Sequence, residues 1–410
     1  MRVRYQTAPH PEFEVCKDIS FILYSNYFHT FSLTQYGKSM RWILPLFSLF
    51  FLACQHPNAQ SELALKIPNE RPYTIELIFD QVQNPWGMDW LPDGSMLVTE
   101  KSGILYRVKD GKADEISGLP EVFNWGQGGL LDVAVHPNFS ENNWVFLTLS
   151  SPAGEGQGGN TALIRGELNE NRLESVEVLY KASPNVPEGQ HFGSRITFDG
   201  KGHVLFSIGD RFHRDEFPQD LEVDGGKIYR LNEDGSIPKD NPFYNSINAK
   251  KAIYSYGHRN PQGLTIHPET GLIWAHEHGP RGGDELNIIE PGLNYGWPII
   301  TYGINYNGTI ITEQTQREGM EQPKYYWVPS IAPCGMAFVT GNRYPGWRNQ
   351  LLVGSLKFAY LEMLEFEGNK VIGRQKIAEN IGRVRNVKMG PDDMIYVGIE
   401  GEGVVRLTPR

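Results

Sequence analysis

Residues 86–108 read WGMDWLPDGSMLVTEKSGILYRV: an alternating apolar run, a Pro-Asp-Gly turn, and a second apolar run that closes on charged residues. Period-two alternation broken by such a turn is the pattern of a β-hairpin. It recurs in GGLLDVAVHPNFSENNWVFLTL from Gly128, GSRITFDGKGHVLFSIGD from Gly193, NPQGLTIHPETGLIWAHEHG from Asn260, CGMAFVTGNRYPGWRNQLLVGSL from Cys334 and VRNVKMGPDDMIYVGIEGEGVVRL from Val384. Self-similar segments of a few tens of residues announce a repeat architecture. One hairpin cannot bury its own face, whereas blades packed around an axis bury both faces against their neighbours. The repeats therefore predict an all-β fold, a six-bladed β-propeller of four-stranded antiparallel blades, over residues 61–410.

Further strands of each blade are expected from segments such as GILYRV at Gly103 and ALIRGEL after Thr161, and YTIELIF at Tyr73 is expected to close the ring by joining the last blade. Closure would protect an otherwise open strand edge. The repeats start roughly 40 to 75 residues apart, so several blades must carry inserted loops. The longest lie after Asp210 and between Gly292 and Pro333, and long loops on a rigid scaffold are where binding and catalysis concentrate.

The ends and the composition narrow the function. From Met40 the chain reads MRWILPLFSLFFLACQ, the layout of a bacterial export signal that ends in a lipidated Cys54, although Phe51 stands where leucine is usual. Residues 40–60 are thus expected to direct export to the periplasm or to an outer-membrane-attached lipoprotein, with Met40 as the true start and residues 1–39 as an upstream extension. Cys16, Cys54 and Cys334 give neither a disulfide framework nor a zinc site. The formal net charge of −10 argues against a nucleic-acid partner, because phosphate binding needs a basic surface.

Against that acidic background, basic and polar residues gather at strand starts and on the inserted loops. They are Gln127 in WGQGGLL, His191 in GQHFGSR, Arg259 and Asn260 in YGHRNPQG, Lys357 in VGSLKFAY, and Arg383 and Arg385 in GRVRNV. Three arginines and a lysine aimed into one channel suit a ligand with several carboxylates or phosphates. The alternative for each arginine is a salt bridge with an acidic neighbour. His191 precedes the third repeat and Asp210 ends its second strand, so antiparallel pairing can bring carboxylate to imidazole and make a general base.

His276 and His278 project to one side of a strand with Glu277 opposite and no third ligand, so a zinc or iron site is not expected. Oxygen-rich groups at Gly279, Pro280, Asp284, Glu285 and the turn at Tyr295 suit calcium. No glycine-rich loop joins a strand to a helix, which excludes a Rossmann site and a P-loop, and no GxSxG elbow occurs. An oxidoreductase on this chain would need a cofactor other than a nicotinamide.

The segments GQGGLLDVAVHPNF, DGSIPKDNPF, YSYGHRNPQGL, GDELNIIEPGLNYGWP and VGSLKFAYL together resemble the soluble quinoprotein glucose and sorbosone dehydrogenases, especially the bacterial aldose sugar dehydrogenases. The resemblance implies pyrroloquinoline quinone (PQQ) as cofactor, held by Gln127, Arg259, Asn260, Tyr306, Lys357, Arg383 and Arg385. It implies calcium at the quinone on the carbonyls of Gly279 and Pro280, and a second calcium around Glu285 and Tyr295. His191, oriented by Asp210, would take the anomeric proton of an aldose, and electrons would pass to an external cytochrome, copper protein or quinone. The glucose enzymes carry an aspartate just before the histidine, where this chain has Gln190, which bears on sugar identity. Two rival readings are a non-catalytic binding propeller and a calcium-dependent lactonase. The lactonase would need inward Asp, Glu and Asn ligands and few arginines.

Overall fold

A computed structural model describes residues 63–68 and 71–410. The export segment, Cys54 and residues 1–39 lie outside the described residues. Six antiparallel sheets make six blades, and the two inner strands of each are the two halves of a repeated hairpin. The first blade runs outward through Pro85–Trp90, Met96–Glu100, Ile104–Lys109 and Lys112–Ile116. The inner strands of the other five are Leu130–Val135, Ile196–Phe198, Pro261–Ile266, Pro333–Phe338 and Arg383–Met389.

The hairpin turns follow from their sequence. In the first, Gly94 takes φ +82°, which glycine adopts without steric cost, and the Asp93 carboxylate accepts the Ser95 amide at 2.9 Å. The ring closes as expected: Tyr73–Phe79 pairs antiparallel with Gly403–Pro409 as the outer strand of the last blade. One addition was not foreseen. Leu65–Lys66 pairs in parallel with Lys370–Glu379, giving the fifth blade a fifth strand.

Among the described residues the core is divided into separate clusters. Leu97, Leu105, Leu130, Leu147 and Ile164 pack between the first two blades, and Leu352, Leu361, Val384, Val397 and Leu407 between the last two. Each blade is stable only because its neighbours cover it.

At the axis, five of the six inner strands break register near their start, between Pro85 and Met88, Leu130 and Val133, Pro261 and Gly263, Pro333 and Met336, and Val384 and Asn386. A bulge of this kind leaves backbone groups unpaired and re-aims side chains. The sixth blade position, the third in sequence, supplies their partner. Arg195, just before its inner strand and 4% exposed, donates through Nε to Gln262 O at 2.8 Å, through Nη1 to Trp86 O at 3.1 Å and through Nη2 to Arg385 O at 2.8 Å. It also meets the Asp132 carboxylate at 3.5 Å and Cys334 Sγ at 3.4 Å, and lies over the Trp86 ring at 4.0 Å. One guanidinium thus touches the other five inner strands.

Removing a member of a buried ion pair leaves the other charge uncompensated, here Asp132. Arg195→Met is expected to cost about 3–5 kcal/mol of stability in denaturant unfolding. Asp132→Asn added to it should recover part of that loss, and an unchanged unfolding midpoint in the single variant would contradict the axial role.

Candidate active site

His191 reaches Asp210 because of local backbone chemistry. Ile196 pairs with Phe206, and the ladder continues as Ser194 N–H donates to Ser207 O at 2.7 Å, so residue 191 arrives beside residue 210. Gly209 must be glycine here, since a Cβ would collide with the His191 carbonyl and the Asn260 side chain. His191 itself sits at φ +55°, a conformation uncommon for a side-chain-bearing residue, and its amide donates to Gln127 Oε1 at 2.8 Å.

Nδ1 of His191 lies 2.6 Å from Asp210 Oδ1. Asp210 is a carboxylate with every other partner a donor: the Phe212 amide at 2.9 Å and the Trp297 indole N–H on Oδ2 at 2.8 Å. It therefore accepts the Nδ1 proton, which leaves Nε2 of His191 with a lone pair. Burial opposes the Asp210 charge, but His191 and Arg259 outweigh it and hold the carboxyl below its ordinary value. The His191 ring is pushed below the ordinary imidazole value, chiefly by burial and then by the Arg259 charge, with Asp210 working against both. The ring is neutral near pH 7 and ready to take a proton.

The pair opens into a cavity of about 410 Å³ whose walls include Phe212, Arg214, Arg259, Trp297 and Tyr306. It shares Pro280 and Tyr306 with a second cavity of about 790 Å³ over the channel mouth. Gln127, Asn260, Lys357, Arg383 and Arg385 line this larger space, whereas Arg259 lines the smaller one with His191. Tyr306, 71% exposed, stands between them.

Arg383 and Arg385 pair with an acidic neighbour and face the cavity at once. Arg383 Nε donates to Glu400 Oε2 at 2.7 Å and Arg385 Nε to Glu400 Oε1 at 2.9 Å, so one carboxylate braces both while they still line the cavity. Lys101, unmarked by the sequence reading, donates to Asn124 Oδ1 and to the Gly126 and Gly128 carbonyls at 3.1–3.2 Å and faces the same space. With Arg281, the wall holds Lys101, Lys357, Arg383 and Arg385 against Glu400 alone. A polyanion fits that imbalance.

The oxygen-rich region resolves into two places. The Gly279 carbonyl accepts Arg259 Nη1 at 2.9 Å, and Pro280 lines both cavities. Farther along the blade, Glu285 lies directly across from Glu277 in the ladder. The Glu285 carboxyl is pushed well above its usual range by burial and then by Glu277. Asn287 donates to Glu285 at 3.2 Å, and its own Oδ1 is buried without a protein partner. Glu277 already accepts from His258 Nδ1 at 2.9 Å and from the Arg259 amide, so the Glu285 carboxyl and the orphaned Asn287 oxygen are the groups suited to a hard cation. The Tyr295 hydroxyl donates to Ile288 O at 2.6 Å and accepts the Glu290 amide, while its ring stacks on His258 at 4.6 Å. His276 and His278 turn to the carbonyls of Gly335 and Pro333 at 3.2 and 2.8 Å. Among the described residues no three His, Cys, Asp or Glu side chains converge as a metal cluster.

Trp297 and Glu400 were invisible to the sequence reading. The signals that could have found them are the Trp in GLNYGWP on a long inserted loop and the acid that ends the last hairpin strand, IYVGIE.

The Glucose / Sorbosone dehydrogenase family matches residues 82–406. The aldose sugar dehydrogenase of Escherichia coli strain K12 is 40% identical over 347 residues, spanning 82% of this chain and 93% of that protein. Quinoprotein glucose dehydrogenase B of Acinetobacter calcoaceticus is 32% identical over 414 residues, spanning 81% and 86%. A solved glucose dehydrogenase superposes with a TM-score of 0.79 at 38% identity, covering 82% of this chain and 99% of that one.

The charges around His191 predict opposite shifts in two variants. Arg259→Gln removes a cation that disfavours imidazolium and should raise the His191 pKa, whereas Asp210→Asn removes the anion that favours it and should lower the value further. Imidazole NMR titration checks both signs, and movement in the reverse direction contradicts this electrostatic account.

Proposed function

The chain belongs to the glucose/sorbosone dehydrogenase family, and on that premise we propose that it oxidises an aldose at the anomeric carbon with PQQ, using His191 as the general base. The observation that carries this reading is the junction at Pro280 and Tyr306 between the His191–Asp210 cavity and the basic one. A base and a polyanion site open to each other serve a reaction in which one substrate loses a proton on one side and a hydride on the other.

Lys101, Lys357, Arg383 and Arg385 would hold the carboxylates of the quinone, with Gln127 and Asn260 at its edge. When bound, PQQ supplies a two-electron acceptor for the hydride that leaves the sugar carbon. His191 Nε2 takes the proton of the anomeric hydroxyl, and the product is the lactone. Asp210 fixes the tautomer and stabilises the imidazolium, and Trp297 keeps Asp210 in place. Arg259 disfavours that imidazolium, so the base returns its proton readily.

Calcium enters this reading at the two oxygen-rich places. At Gly279 and Pro280 it would share a carbonyl with the Arg259 guanidinium, which is tolerable only beside anionic groups such as the quinone carboxylates. There it would act as a Lewis acid. Around Glu285 and the turn at Tyr295, beside Asn287, it would neutralise the buried Glu285 carboxylate and stabilise the fold. The reading further places the enzyme outside the cytoplasm, on the strength of the Met40–Cys54 segment, with an external electron acceptor. The lactonase alternative lacks support in a channel mouth lined by lysine and arginine.

Reconstitution tests this proposal. Dye reduction with aldoses should require both PQQ and calcium. Lys357→Ala should weaken PQQ binding by about 10–100-fold, the loss of a charge-assisted contact. His191→Gln should retain PQQ affinity while kcat falls by about 10²–10⁴. Calcium should also raise the melting temperature, an effect Glu285→Gln should remove. A protein that binds no PQQ overturns the reading.

A further inference from the structure

The segment from Gly209 to Phe217 forms one wall of the His191 cavity and carries a backbone that no hairpin turn demands. Arg211 and Phe212 both take positive φ, at 52° and 69°. Consecutive residues with side chains rarely do so, and such outliers persist where the surroundings over-determine them. Here the cause is the Arg211 side chain. It is fully buried, its guanidinium lies 3.4 Å from the Phe192 ring centroid, and its Nη2 donates to the carbonyls of Glu188 at 2.8 Å and Gly159 at 3.1 Å. Its Nη1 donates to the Gln190 carbonyl, so the segment is tied to the loop that carries His191.

With Arg211 turned inward, Phe212 is turned out. Phe212 is 61% exposed, and its ring stands edge to face with the His191 imidazole at 5.9 Å. An exposed aromatic in a concave site, bordered by polar groups, is a recognition surface rather than core. The border here is His213, Arg214, Asp215 and Glu216, from the same segment. An aldopyranose has the matching chemistry: an apolar C–H face and a rim of hydroxyls. Gln190, the position where the glucose enzymes carry an aspartate, lines neither cavity, whereas the 213–216 run lines this one together with Asn305 and Tyr306 and offers polar groups to those hydroxyls.

We infer that Phe212 is the stacking surface for the sugar ring beside His191, and that Arg211 is the positioning residue that holds it there. This rests on the aldose-oxidising reading above. Stacking on Phe212 sets the ring against the base, so its loss acts mainly on substrate binding.

The test uses the protein loaded with PQQ and calcium, with KM and kcat measured for aldopyranoses and PQQ affinity by titration. Phe212→Ala should raise KM about tenfold with a smaller change in kcat, the size of one aromatic contact, while PQQ affinity stays within about twofold. Phe212→Tyr should restore KM. Arg211→Met should raise KM similarly, and the double variant should show no further rise; additive effects overturn the positioning role. If Arg211→Met fails to fold, the Phe212 variants still decide the stacking role. An unchanged KM in Phe212→Ala, or a loss of PQQ affinity, overturns the inference while leaving the dehydrogenase reading intact. A wild-type protein that binds PQQ and oxidises no aldose overturns that reading itself, and the inference with it.

Discussion

The fold depends on a buried guanidinium at the propeller axis. Bulges at the start of the inner strands free the carbonyls of Trp86, Gln262 and Arg385 from their ladders, and Arg195 accepts the task of satisfying all three. Unpaired buried carbonyls are costly, so the bulges and the arginine are stable only together. The arrangement joins six blades whose cores are otherwise local. It also divides the channel. Trp86, Gln262 and Arg385 line the large cavity on one side, while Asp132 and Asn386 line a smaller one of about 220 Å³ on the other.

From that axis the chemistry follows by position. Residues at or close to strand ends, Gln127, Asn260, Lys357, Arg383 and Arg385, ring the mouth, where rigid strands hold them. The long insertions then add what strands cannot reach. Trp297 arrives from one of them to buttress Asp210, Tyr306 to line both cavities where they meet, and Phe212 to face His191.

Much of this was legible in the sequence because hairpins are local. Period-two alternation and turn residues mark the six repeats, and the closing strand at Tyr73 follows from the need to cover an edge. His191 and Asp210 were legible for the same reason, lying just beyond the ends of adjoining strands of one blade. Arg195 was not, although it sits in the quoted GSRITF, because its partners come from five other blades and three of them are backbone carbonyls with no sequence signature. Glu400 stood at a strand end and went unread, so the pairing of Arg383 and Arg385 through one carboxylate was set against their facing the cavity, although the two go together. Trp297 lies 87 residues from Asp210, across an insertion whose path no periodicity encodes.

The central claim is that His191 and the basic cavity act together on the anomeric carbon. Its most direct test is an anaerobic single turnover of the protein loaded with one equivalent of PQQ and calcium, comparing an ordinary aldose with one deuterated at that carbon. The account predicts one lactone formed per loaded protein and slower formation from the deuterated sugar. Sugar left unoxidised by loaded protein, or equal single-turnover rates for the two sugars with chemistry shown to limit, would contradict it.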